Sequence, residues 1–357
     1  MPMPIAIPGE APYDTWTWIP VPGTECANGT TTGLGINPKQ GASRVLFYYE
    51  GGGLCWDQAT CAGPVPTAQN LTGYDATNFA QFAQIVGSSG PFDRADNMNP
   101  FHDATFVILP YCTGDLHVGS KTTTYGATTI HHSGYTNTTK FLERLVPTFA
   151  NAAQVIVAGS SAGGFGAAFN FGRMHDELVG VNVGEVILVD DSGPLLRPPY
   201  TTKALQQAWK ASWGMAANLP AGCAACDIDS GPGGGVHNVF SHYAASVPGF
   251  RGSLITSDRD NVVSAGLSLA PGDPNLRCAQ SSPMPPCEFH AAVYDLQTQV
   301  TAPASPGKMH VFYMDSYKHI WLSQKLSQIH PSTKSTTLAM FLGEQVSNSP
   351  QWADVTP

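Results

Sequence analysis

Residues Gly159-Ser160-Ser161-Ala162-Gly163 form a G-x-S-x-G run between an apolar stretch, Val155-Ile-Val-Ala158, and a segment of helical character over 162–175. A strand entering a helix through small residues turns sharply enough to lift the central serine above a sheet, where its hydroxyl can attack a carbonyl carbon. The N–H groups and positive dipole of the helix start lie where the resulting oxyanion would form. Such a serine needs a base, and the base an orienting acid, in the chain order serine, carboxylate, histidine. His319 is the expected base, because it follows the apolar run Val311-Phe-Tyr-Met314 after a short loop, Asp315-Ser-Tyr-Lys318. The other histidines beyond Ser161 fit less well. His175 falls at the end of the serine's own helix, and His237, His242 and His290 follow no strand. His310 precedes the last run, and His330 lies far past it in a Pro-bounded turn.

For the acid, Thr256-Ser-Asp258-Arg-Asp260-Asn follows the next-to-last apolar run. Asp258 is nearest the strand end and is the expected member, with Asp260 its competitor; Asp190 and Asp191 end an earlier run and would serve only if the acid had migrated. Tyr48-Tyr-Glu50-Gly51-Gly52-Gly53-Leu54 has the form of an HGGG-type oxyanion loop with Glu in place of His. Successive glycines let main-chain N–H groups turn toward a substrate carbonyl without a side-chain clash.

These groups need a scaffold. Short β-branched apolar runs recur at 45–49, 105–109, 155–158, 186–189, 253–256 and 311–314, with helical stretches at about 137–149, 162–175, 202–212, 289–299 and 335–346. Continuous rather than alternating apolar runs mark strands buried on both faces. Strands alternating with helices predict a mostly parallel sheet flanked by helices, with ligands at the carboxyl ends of the strands, where the polar residues gather. The Gly/Pro/Ala-rich segment 210–250 reads as a cap or insertion within a single domain spanning 1–357.

Charged residues make up 12% of the chain, the net charge is −9, and Gly (37) and Pro (29) are abundant. That composition suits a loop-rich extracellular enzyme, and the negative charge disfavours nucleic acid and anionic membranes as partners. Eight cysteines include three close pairs, 55/61, 223/226 and 278/287, which read as local disulfides of an oxidising compartment. Zinc at Cys223-Ala-Ala-Cys226 is the rival reading, and no second CxxC or HxxxH completes it. No apolar stretch of about 18 residues is present, so no membrane span is expected. The start, MPMPIAIPGE, has neither a basic nor an apolar signal region; an exported form would have had its signal peptide removed.

Together these motifs resemble the pectin acetylesterase/Notum family of carboxylesterases, across roughly residues 17–325. Glu50-Gly-Gly-Gly-Leu-Cys-Trp56 with Cys61 is similar to its Gly-rich oxyanion loop closed by a short disulfide. Tyr111-Cys-Thr-Gly-Asp115 with Val118-Gly-Ser120, Gly159-Ser-Ser-Ala-Gly-Gly164 and Asp191-Ser-Gly193 resemble three further family segments. The resemblance implies an α/β-hydrolase fold, a triad of Ser161, Asp258 and His319, and oxyanion donors at Gly52, Gly53 and Ala162. It makes Leu54, Trp56, Asp191 and Trp321 candidates for substrate binding. Leu54 stands where plant members carry Trp, and Tyr317-Lys-His319-Ile-Trp321 differs from their Ala-His-Cys. The expected activity is ester hydrolysis through an acyl-enzyme by a secreted monomer, without metal or cofactor, on an O-acetylated polysaccharide such as pectin or another polymer. The rivals are a lipid-type deacylase, a polyester hydrolase and a non-catalytic binding protein on the same scaffold.

Overall fold

The computed structural model describes residues 3–267, 284–300 and 308–357. Among them, eight strands form one sheet in the order β1-β2-β4-β3-β7-β8-β9-β10, where β1 is Thr17–Pro20, β2 Gly33–Asn37, β3 Arg44–Tyr49, β4 Thr105–Leu109, β7 Gln154–Ser160, β8 Glu185–Asp191, β9 Gly252–Ser257 and β10 Met309–Met314. The six strands from β4 to β10 are mutually parallel, while β1 and β2 add an antiparallel edge. A separate hairpin joins β5 (Lys121–Tyr125) to β6 (Thr128–His132).

Each expected apolar run is a strand of this sheet; the run 105–109 matches its strand end to end, and the others are lengthened by one to three residues. The reason is burial on both faces. On β3, Val45, Phe47 and Tyr49 enter one core while Leu46 and Tyr48 enter the other; on β7, Val155 and Val157 alternate with Ile156 and Ala158 in the same way. Helices Gly134–Thr148, Ala162–Val179, Lys203–Trp213, Asn238–Ser246 and Pro286–Val300 carry residues of the first core. Helices Ala76–Val86 and Leu338–Val346 lie on the opposite side. Within 210–250, Tyr243 donates its hydroxyl to the Ala168 carbonyl at 2.9 Å, which docks this segment on the helix that follows Ser161.

Disulfides link Cys55 to Cys61 and Cys223 to Cys226, as the spacing suggested, and Cys26 to Cys112, a pair the spacing left unassigned. The bridge removes Cys223 and Cys226 as zinc ligands. Cys287 is also in a disulfide, while Cys278 lies outside the described residues. No helix among the described residues is long and apolar enough to cross a membrane.

Candidate active site

Strand β7 ends at Ser160, and the next residue carries φ 60° and ψ −126°, caps the helix Ala162–Val179 and is Ser161. This strained turn is possible because its neighbours are small. Gly163 brings the helix backbone against the Tyr49 carbonyl, where a Cβ would collide, and a Cβ on Gly51 would lie 2.9 Å from the Cβ of Ser161. Ser160, by contrast, points into the sheet. Its hydroxyl accepts from the Tyr48 hydroxyl at 2.8 Å and donates to Asp191 at 2.6 Å.

His319 sits in the loop after β10, as expected. Its Nδ1 lies 2.7 Å from Oδ2 of Asp260 and donates to it, since a carboxylate can only accept. That leaves Nε2 as an acceptor; it is buried and has no hydrogen-bond partner among the described residues. Ser161 and His319 line the same cavity of about 600 Å³.

The choice of Asp258 as the orienting acid is corrected by this geometry. Its carboxylate accepts from Ser316 N at 3.2 Å and Arg259 Nε at 3.1 Å, and it pairs with His290 Nδ1 at 3.1 Å. It therefore ties β9, the β10 loop and helix Pro286–Val300 together, away from His319. Asp260 is fully buried, and its other oxygen accepts from the N–H groups of Val262 (2.9 Å) and Val263 (3.0 Å) at the start of the helix Asn261–Leu267. Those two donors fix this oxygen at the helix start, leaving the other free to face His319.

The glycine loop presents unpaired main-chain N–H groups beside Ser161. Gly52 (φ 152°) and Gly53 (φ 75°) adopt backbone that disfavours a side chain. The N–H groups of Gly52, Gly53 and Ala162 have no hydrogen-bond partner among the described residues. The loop is held from below. Gln69 N–H donates to the Gly52 carbonyl at 2.8 Å, and His117 Nε2 donates to the Glu50 carbonyl at 2.9 Å. Burial lowers His117 to about 4, so its ring is neutral near pH 7. Burial also raises the Glu50 carboxyl to about 8, although the Tyr74 hydroxyl donates to it at 2.9 Å. Sequence reasoning missed His117, Tyr48 and Tyr74; the nearest signal was the Tyr111–Asp115 segment beside His117.

Of the four residues expected to bind substrate, the structure brings Leu54 to the site and not the other three. Leu54 lines a second cavity of about 380 Å³ that also opens on Ser161 and is walled by Leu116, Phe165, Trp209, Val263 and Leu267. Trp56 and Trp321 are buried, and Trp321 donates its indole N–H to Ser257 Oγ at 3.1 Å. Asp191 is wholly buried. Desolvation raises its carboxyl, and donors from Ser160, Leu322 and Trp321 pull the other way.

The pectinacetylesterase family model matches residues 19–225 of this chain. The palmitoleoyl-protein carboxylesterase NOTUM of Drosophila melanogaster is 26% identical over 214 residues, 56% of this chain and 31% of that protein. The human palmitoleoyl-protein carboxylesterase NOTUM is 26% identical over 154 residues, 43% of this chain and 30% of that protein. The chain thus spans about three tenths of the length of these relatives. Two crystal forms of the Wnt deacylase Notum from Drosophila match the fold with TM-scores of 0.67 and 0.64 at 17% and 18% identity. The matches cover 96% of this chain and 95% and 96% of the Notum chains, so the architecture is that of an α/β-hydrolase.

Proposed function

The chain belongs to the pectinacetylesterase family, and from that premise we propose that it is a serine carboxylesterase working through an acyl-enzyme on Ser161. The observation that carries this reading is the His319–Asp260 contact at 2.7 Å with Nε2 of His319 left unpartnered at the cavity shared with Ser161. In the mechanism His319 takes the Ser161 proton at Nε2 as Oγ attacks the ester carbonyl, and Asp260 holds the imidazolium. The amides of Gly52, Gly53 and Ala162 receive the oxyanion. The imidazolium then protonates the departing alcohol, and a water deprotonated by His319 releases the acid. The disulfides support a secreted enzyme.

The cavities bear on the substrate. The 380 Å³ cavity is apolar and begins at Ser161, so it suits an acyl group larger than acetyl, which would leave most of it empty. The 600 Å³ cavity presents Gln69, Asn70, Asn78 and Gln81 and suits a hydroxyl-rich or polymeric alcohol. The palmitoleoyl-protein activity named for the relatives agrees with the first feature. Deacetylation of a polysaccharide is the second reading, supported by the polar cavity and the family model. A panel of p-nitrophenyl esters of increasing acyl length, run beside acetylated pectin, decides between them. We expect kcat/KM to peak above the acetate. A maximum at acetate would favour the second reading, and no turnover with any ester would favour a binding protein. Ser161→Ala should lower turnover by about three orders of magnitude or more, whereas Ser160→Ala should keep most of it.

A further inference from the structure

Three residues with left-handed backbone surround the candidate triad: Ser161 (φ 60°) after β7, Ser192 (φ 62°) after β8 and Ile320 (φ 54°) directly after His319. Residues with a Cβ are disfavoured there, a β-branched isoleucine most of all, and such backbone persists only where neighbours hold it. The holding contacts converge on one residue. Asp191 is the last residue of β8, stands in register with Ser160 and has no exposed surface. Its carbonyl accepts the Ser161 N–H at 2.7 Å. Its Oδ2 accepts from Ser160 Oγ (2.6 Å), Trp321 N (3.0 Å) and Leu322 N (2.9 Å). Its Oδ1 accepts from Trp321 N (3.0 Å) and Ser192 Oγ (3.2 Å), and Ser192 Oγ in turn accepts the Ile320 N–H at 3.3 Å.

We propose that Asp191 is the positioning residue of the catalytic pair, fixing the Ser161 turn and the His319 loop in one frame. The proposal rests on the hydrolase reading above and adds to it a second carboxylate with a separate task. Asp260 sets the tautomer and ring orientation of His319, whereas Asp191 sets where the loop bearing His319 stands relative to Ser161. On the other flank Ser257 Oγ donates to the Lys318 carbonyl at 2.5 Å, so the histidine is anchored on both sides. Both carboxylate oxygens of Asp191 are engaged by main-chain and serine donors, and the residue lines neither cavity at Ser161. It therefore acts through the residues it holds. A misplaced base costs rate far more than it costs substrate binding.

The test is steady-state hydrolysis of a p-nitrophenyl ester by wild type, Ser161→Ala, Asp191→Asn and the double variant Ser160→Ala/Ser192→Ala, with circular dichroism and Tm for each. Asparagine keeps the size of the side chain, but in either orientation its amide donor faces the Trp321 main-chain N–H, which cannot accept. In a folded Asp191→Asn we expect kcat to fall about a hundredfold or more with KM within about threefold. The phosphonylation rate of Ser161 by a fluorophosphonate should fall in step with kcat. The double variant removes two donors and keeps the carboxylate, so kcat should fall roughly tenfold; it stands as the test if Asp191→Asn does not fold. A folded Asp191→Asn, or else the double variant, with kcat within about threefold of wild type overturns the proposal. So does a loss carried mainly by KM. Undiminished turnover in Ser161→Ala would overturn the hydrolase reading itself, a result distinct from failure of the positioning role alone.

Discussion

Asp260 serves two partners at once, the start of the helix Asn261–Leu267 through one oxygen and His319 through the other. Asp260→Asn should keep the helix contact through its carbonyl oxygen and misdirect the imidazole, lowering kcat by roughly 10³–10⁴. Asp258→Asn loosens the joint between β9, Ser316 and His290, so it should lower Tm by a few degrees and leave kcat within severalfold. Kinetics and melting of both variants check this, and a severe kcat loss at Asp258 with a mild one at Asp260 would restore the original expectation. Two carboxylates two residues apart after one strand are hard to tell apart by position. The sequence did hold a clue: Asp260 precedes Asn-Val-Val at a helix start, where a capping aspartate is favoured. Glu50 makes a pH-dependent prediction. Its carboxyl is raised from 4.5 to about 8 by burial, so the neutral form is favoured in the folded state. The stability this gives is complete below about pH 4.5 and is lost as pH rises through about 8. Tm of the wild type should therefore decline between pH 5 and 9 more steeply than that of Glu50→Gln. Ionised Glu50 also places a negative charge beside the oxyanion amides, so activity above pH 8 should fall in the wild type and less in Glu50→Gln.

Among the elements, the buried parallel strands were legible because each is a continuous apolar run, and Ser161 and His319 were legible because each follows one. The edge strands were not. Thr17–Pro20 and Gly33–Asn37 are short, and neither carries the long apolar run that marked the others. The β5–β6 hairpin is mostly Thr and His, and three of the five residues in β5 are exposed. The joint between strand β3 and the glycine loop carries a further prediction. Cys55 follows that loop directly; its N–H donates to the Gly114 carbonyl and its own carbonyl accepts from the Trp213 indole, both at 2.8 Å. The Cys55–Cys61 bridge closes a separation of 6 residues and contributes about 2 kcal/mol of chain entropy. Its larger effect should be to hold the amides of Gly52 and Gly53 in place. Replacing both cysteines with serine should lower kcat about tenfold while Tm changes by only a few degrees. Intact turnover in that variant would sever the link between bridge and oxyanion loop.

At the scale of the molecule, one sheet carries every group of the site on the carboxyl ends of five neighbouring strands, β3, β7, β8, β9 and β10. This sheet therefore brings the proposed catalytic groups together by itself. The site needs a fixed spacing between the glycine loop, which enters from the amino-terminal half, and the serine, acid and histidine, which come later. The Cys26–Cys112 bridge spans 86 residues that include β2, β3, the glycine loop and β4. It turns that half of the site into a closed covalent ring. A protease that cuts one exposed bond inside the ring, for instance beside Val65, which is 80% exposed, opens the loop without dividing the molecule. The nicked protein would run as a single species on a non-reducing gel and separate into two fragments only after thiols are added, so damage to the oxyanion segment in an oxidising medium would leave the molecular mass of the enzyme almost unchanged.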